Sequence, residues 1–338
     1  MPFSLSRKQF VGGAVATLGL TAFLPRRARS APNRFRLGCD IPPDHPIGTH
    51  LVAAAKNVGS ATNGQVEIDV FLNNELGDDT HMLAQLRSGV IEFMAVGDNI
   101  LAELVPSVAI DNIGFAFKDA TTAFAALDGT VGDITRADMH KTGLHAMPKI
   151  WDEGFREITS STKPIKTPQD LRGFKIRVPP SPISLSLFKD LGASPLTLNA
   201  TELYTALQTH LADGQENPLG TIEANKFYEV QKYCSLTNHM WVGYWVVANL
   251  QAWNRIPGHL QGIIENAFDA EVPAQRSETE HLNNSLIPKL ESQGLTFNRP
   301  DIAPFRQALI RSGFYTHWQT QFGTTLWAAL EKYSGPIG

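Results

Sequence analysis

From Arg34 onward the apolar positions switch repeatedly between a period of two and a period near 3.6. Phe35 to Cys39 alternates as a strand, Gly48 to Ala61 carries an apolar helical face, and Val66 to Phe71 alternates again. Asp78 to Ser88 then reads as a helix and Ile91 to Val96 as a strand. Repeated strand and helix units of this spacing predict an α/β domain with a mostly parallel sheet. Leu144 to Ile150 predicts a strand, and Trp151 to Arg156 turns into another that carries the chain into a second lobe.

Beyond it, Phe174 to Val178 is strand-like and is ended by Pro179, Pro180 and Pro182, and Thr201 to Thr209 is helical. Asp213 to Pro218 packs polar and turn-forming residues together and predicts a structured turn, in which Asn217 has the chemistry of a helix N-cap before Pro218. Lys232 to Leu236 and Trp241 to Leu250 predict strands. Pro257 to Gln293, weakly broken at Pro273 and Pro288, and Ile302 to Tyr333 predict helices. The expected organisation is residues 1–30 as an export signal, 31–150 and 151–250 as two α/β lobes, and 251–338 as a helical region.

The first segment owes its reading to charge. Arg7 and Lys8 precede a 15-residue apolar run, Phe10 to Leu24, and Ala28-Arg29-Ser30 offers a small-x-small cleavage site. That run is shorter than the ~20 residues that span a bilayer. The expectation is export to the periplasm through a cleavable signal, with Ser6-Arg7-Lys8-Gln9-Phe10 similar to a twin-arginine motif.

Composition narrows the function classes. Of 29 basic residues, five lie in the first 30 positions, so the remainder carries 24 against 33 acids, a net charge of −9. An acidic chain without a basic tract does not fit nucleic-acid binding. Cys39 and Cys234 lie far apart in apolar runs with no metal-ligand spacing, and both read as small buried residues. No GxSxG, HExxH or phosphate-cradling glycine loop occurs, and the histidines form no triad or metal pattern. No catalytic residue, metal or cofactor is expected.

Candidate chemistry concentrates between Leu171 and Gly220. Arg177 sits at the exit of a strand, where α/β sheets place ligand-contacting groups, and its planar fork suits a carboxylate. Pairing with an acid such as Glu216 is the other use for it. Asp40 and Asp98 follow strands on one rim of the first lobe and can accept hydrogen bonds from a ligand. Trp241 and Trp245 share one face of their strand and Tyr244 takes the other, so a ligand wall and core packing both stay open.

The series GFKIRVPPSP, LGASP, ELYTALQ and ADGQENP resembles the solute-binding receptors of tripartite ATP-independent periplasmic (TRAP) transporters, of the C4-dicarboxylate-receptor type. TNGQVEIDVFLNNELGDD adds to it. The resemblance implies a two-lobed α/β receptor with the ligand cleft between lobes and long C-terminal helices bracing both. It implies that Arg177 clamps a carboxylate, that Asn217 assists, and that Arg156 and Trp241 face the ligand. The partners implied are a small organic acid and the TRAP membrane permease subunits. The other functions to weigh are a ligand-binding partner of a signalling system and a periplasmic enzyme acting on an organic acid. Ala200 stands where many relatives carry a bulky aromatic, which predicts a bulky or aromatic carboxylate rather than a C4 diacid.

Overall fold

A computed structural model describes residues 33–338. The expected export signal lies outside the described residues. The chain runs β1 (Asn33–Gly38), α1 (Pro46–Ala61), β2 (Val66–Phe71), α2 (Asp79–Ser88), β3 (Phe93–Gly97), α3 (Asp98–Leu101), α4 (Ala120–Leu127) and α5 (Thr130–Lys141). It continues through β4 (Leu144–Ala146), β5 (Trp151–Ser160), β6 (Lys175–Val178), α6 (Pro182–Asp190), β7 (Ser194–Thr197), α7 (Ala200–Gln208), β8 (Gly214–Asn217) and α8 (Leu219–Ala224). The last part is β9 (Tyr233–Asn249), α9 (Leu250–Asn254), α10 (Gly258–Ser292), β10 (Thr296–Asn298), α11 (Ala303–Ser312) and α12 (Phe314–Ser334).

The strands join in the order β2-β1-β3-β9-β5-β8-β6-β7, with β4 and β10 also on β9. Parallel pairs, β1 with β2 and β3 at one end and β6 with β7 and β8 at the other, form the two lobes' own sheets. Two long antiparallel strands connect them. The first residues of β9, Tyr233 to Ser235, pair with β10 and the end of β5, whereas Tyr244 to Ala248 pair with β3 of the first lobe. β9 therefore runs from one group of parallel strands to the other, and its last residues, within the segment expected as the second lobe, lie against β3.

The β5–β9 ladder changes register twice, between Asp152 and Gly154 and between Arg156 and Ile158. Each irregularity leaves a residue unpaired and lets side chains leave strict alternation. Gly154 has φ +119°, a conformation that glycine adopts without a Cβ penalty. These shifts sit where the chain passes between the lobes.

The segment expected as a turn is a strand instead. Gly214 to Asn217 is β8, inserted between β5 and β6. Polar content pointed to a loop, but every one of these residues is buried, and tertiary pairing overrides local preference. Gly214 is required here, since a Cβ would stand 2.1 Å from the Thr159 carbonyl. Asn217 does not cap α8, because Pro218 occupies the cap position.

Helix α10 is continuous through Pro273 and Pro288. Tertiary anchoring offsets the lost hydrogen bonds. Near its first half His50 of α1 meets Glu271 at 2.6 Å, and Asn57 donates to the same carboxylate. Further along, the Gly220 N–H of α8 donates to Asn283. Leu260, Ile264, Phe268 and Val272 join the main core, while Leu286 and Leu290 join a smaller one with Leu203, Leu207 and Ile222. One helix thus buries itself against both lobes. Cys39 and Cys234 are free and buried.

Candidate functional site

Between the lobes lies a cavity of about 50 Å³, lined from the first lobe by Asp40, Asp79, Asn99 and Tyr244 and from the second by Arg177, Ala200 and Asn217, with Glu153 and Arg156 of β5 between them. The lobes meet above it. Asn199, which caps α7, donates to the Asp78 carboxylate that caps α2, at 3.4 Å.

The two arginines differ in what compensates them. Arg156 is 3% exposed and forms a buried ion pair with Glu216, through Nε to Oε2 and through Nη2 to Oε1 at 3.1 Å. It also donates to the Glu216 carbonyl and to Asn217 Oδ1, and Glu153 approaches its Nη1 to 3.7 Å. His239 adds a contact to Glu216 at 3.2 Å. Burial alone raises the Glu216 carboxyl, but Arg156 and His239 outweigh it and hold the group below the ordinary range.

Arg177 has no such partner. It is 2% exposed, and its Nε and Nη2 both donate to the Leu198 carbonyl, at 2.9 and 2.6 Å. Among the described residues no acid lies within ion-pair distance of it. Burial lowers its pKa to about 10, against the pull of Glu216 and with the push of Arg156. A neutral carbonyl satisfies donors without neutralising charge, so the site holds a desolvated cation that an anion would stabilise.

Carboxyls line the rest of the cavity. Asp40 accepts from the Tyr244 hydroxyl at 3.0 and 3.2 Å, and burial keeps it above the ordinary carboxylate range. Asp79, 7% exposed, is pushed well up by burial and then by Asp40. Glu153 accepts from Thr221 at 2.8 Å and is raised to about 7 by burial, with Arg156 pulling against it.

Of the sequence-derived candidates, Arg177, Arg156, Asn217 and Asp40 come together at this cavity. Asn217 serves Arg156 through its oxygen and Gln215 through its nitrogen. Trp241 and Asp98 do not line it. Trp241 gives its indole N–H to Asp152 at 2.9 Å and packs edge-on against Phe117 and Phe124. Asp98 accepts from Asn112 and from the Gly243 N–H inside the first lobe. The aromatics at the cavity are Phe227 and Tyr244, the latter on the strand face opposite Trp241, as alternation along β9 requires. Asp79 and Glu153 were not among the candidates. The Asp78-Asp79 doublet carried a signal for the first, since one aspartate suffices to cap α2.

A family model described as bacterial extracellular solute-binding protein, family 7, matches residues 37–313. Among similar proteins, the 2,3-diketo-L-gulonate-binding periplasmic protein YiaO of Escherichia coli is 36% identical over 224 residues, 65% of this chain and 68% of that one. The C4-dicarboxylate-binding periplasmic protein DctP of Rhodobacter capsulatus is 27% identical over 86% of each chain. Among solved structures, a TRAP periplasmic solute-binding protein of Sulfurospirillum deleyianum with bound succinate aligns with TM-score 0.83 at 29% identity, over 91% of this chain and 100% of that one. The sugar acid binding protein of Advenella mimigardefordensis in complex with galactonate aligns with TM-score 0.85 at 28% identity, over 91% and 99%.

Proposed function

The chain belongs to the family 7 bacterial extracellular solute-binding proteins, and we propose that this receptor's ligand is a short hydroxylated monocarboxylate held on Arg177. It is a TRAP-type solute receptor with the two-lobed fold, which captures an organic carboxylate for a membrane permease. Export through a cleavable signal to the periplasm, and action on the ligand by binding alone, without turnover, belong to the same reading.

The observation that carries the ligand assignment is the buried Arg177 guanidinium, with only the Leu198 carbonyl as its hydrogen-bond partner among the described residues. A ligand carboxylate supplies the missing charge and fits the planar fork. The other end of the ligand meets Asp40, Asp79 and Glu153. A second carboxylate there would require these buried acids all to take up and hold protons, which is unfavourable, whereas hydroxyl groups can hydrogen-bond them in either protonation state. The cavity is small, about 50 Å³, which favours a short acid. A bulky or aromatic acid, expected from Ala200, loses its support. Ala200 does line the cavity, but the space stays small and the expected stacking partner Trp241 points elsewhere.

A thermal-shift panel tests this. Glycerate, lactate and threonate should stabilise the protein, by about 2.7 kcal/mol at a hundredfold excess over the dissociation constant. Succinate and phenylacetate should do less at equal concentration, and a preference for either would overturn the assignment.

A further inference from the structure

A second cavity, of about 580 Å³, lies across β5 from the ligand cleft. Glu153 and Arg156 line the cleft, whereas Asp152, Phe155 and Glu157 line this other space. Its other walls include Phe124 of α4, Arg276, Glu280 and Ile287 from the middle of α10, Leu236 of β9, and Arg299. The volume lies within the roughly 300–1,000 Å³ of small-molecule sites, and the walls combine apolar surface with a few polar groups.

The polar groups select a charge type. Asp152 is 3% exposed; its Oδ1 accepts the Trp241 indole N–H, and no hydrogen bond reaches Oδ2 among the described residues. Arg276, whose charge acts on Asp152, is committed elsewhere: it forms a two-point ion pair with Asp128 at 2.8 and 2.7 Å and lies 4.1 Å over the Phe124 ring. Glu157 is 4% exposed and accepts the Asn238 N–H. Burial raises Asp152 to about 7 and Glu157 to about 8. Arg276 and Arg299, which also line the cavity, pull the two down without offsetting it, so neither acid is fully compensated for ionising. An ammonium group supplies that compensation, and Phe124, Phe155, Leu236 and Ile287 receive an apolar body beside it.

We propose that the cavity behind β5 is a second ligand site, distinct from the carboxylate cleft, and that it takes a small organic ammonium compound with an apolar body, its cation on Asp152. Its walls come from both lobes and from the helix that packs on both, so an occupant acts on the same interlobe geometry that the cleft ligand uses. Any such coupling is reciprocal between the two ligands.

Calorimetry on the purified chain with phenethylamine, choline and the neutral phenethyl alcohol tests the site. At least one of the two cations should bind, more tightly than the alcohol, and Asp152→Asn should weaken it by about tenfold or more. Arg177→Ala, in the cleft, should leave it unchanged. Should Asp152→Asn fail to fold, Ser277→Trp, which adds bulk from the exposed side of α10 at the cavity wall, should give the same loss. Binding by neither cation, equal binding by the alcohol, or loss in Arg177→Ala with retention in both cavity variants would overturn the proposal.

Discussion

Arg156 and Glu216 face each other from neighbouring strands, β5 and β8, as an ion pair that is 3% and 0% exposed. The pair uses up the charge of one of the two arginines at the cleft. Arg177 is thereby left as the cation available to a ligand, and the electrostatics of the site follow from that division.

Glu216→Gln removes the compensation while leaving the shape. Arg156 then stays buried beside a neutral amide, with Glu153, 3.7 Å from its Nη1, as the remaining acid among the described residues. Breaking one side of such a pair costs about 3 to 5 kcal/mol. Denaturant unfolding should show a loss of that size. A change within the error of the extrapolation would mean that the pair is not what holds β5 to β8.

Stability should fall as pH rises from about 6.5 to about 8. Asp152 and Glu153 are raised to about 7 and Glu157 to about 8, chiefly by burial. In this window the folded chain keeps protons that the unfolded chain has already released, so raising the pH favours unfolding. His45 and His145, lowered to about 4 by burial, work in the opposite sense, but only below their unfolded value near 6.5. Melting of the ligand-free protein across the window is the check, and a flat or rising profile would contradict the assignment of buried, protonated acids.

Asp79→Asn should relax the selection against diacids. The side chain is nearly buried, and burial together with Asp40 keeps its pKa well above the usual range. An amide in its place cannot ionise, so a second ligand carboxylate no longer depends on that position holding a proton. The ratio of succinate to glycerate affinity should rise by about tenfold, the effect of roughly 1.4 kcal/mol. An unchanged ratio would show that the acids do not set selectivity.

Much of the fold was legible because its elements bury one face with a regular period. The first βα units appear within a few residues of their expected places, and the KIR strand ends at its prolines. What was not legible depends on pairing between distant segments. Gly214 to Asn217 reads as a turn because its residues are polar, and only insertion between β5 and β6 makes it a strand. The same holds for the site. Arg177 was visible from its strand exit, but Glu216 could have paired with either arginine, and the choice of Arg156 follows from β8 lying against β5. Tyr244 was placed on the face opposite Trp241 by alternation, yet nothing local said which face met the cleft. That depends on β9 crossing from one lobe to the other.

The most direct measurement is calorimetric titration of glycerate, lactate and threonate into the wild type, Arg177→Lys and Arg177→Ala. Losing a buried charge-assisted contact costs roughly 2 to 5 kcal/mol, or about 30-fold to several-thousand-fold in affinity. Arg177→Lys should also bind more weakly than the wild type, because an ammonium lacks the planar fork. The ligand-free variants should melt no lower than the wild type, since the residue they replace is a buried, uncompensated cation. Equal affinity of these acids for the wild type and for a folded Arg177→Ala would contradict the account.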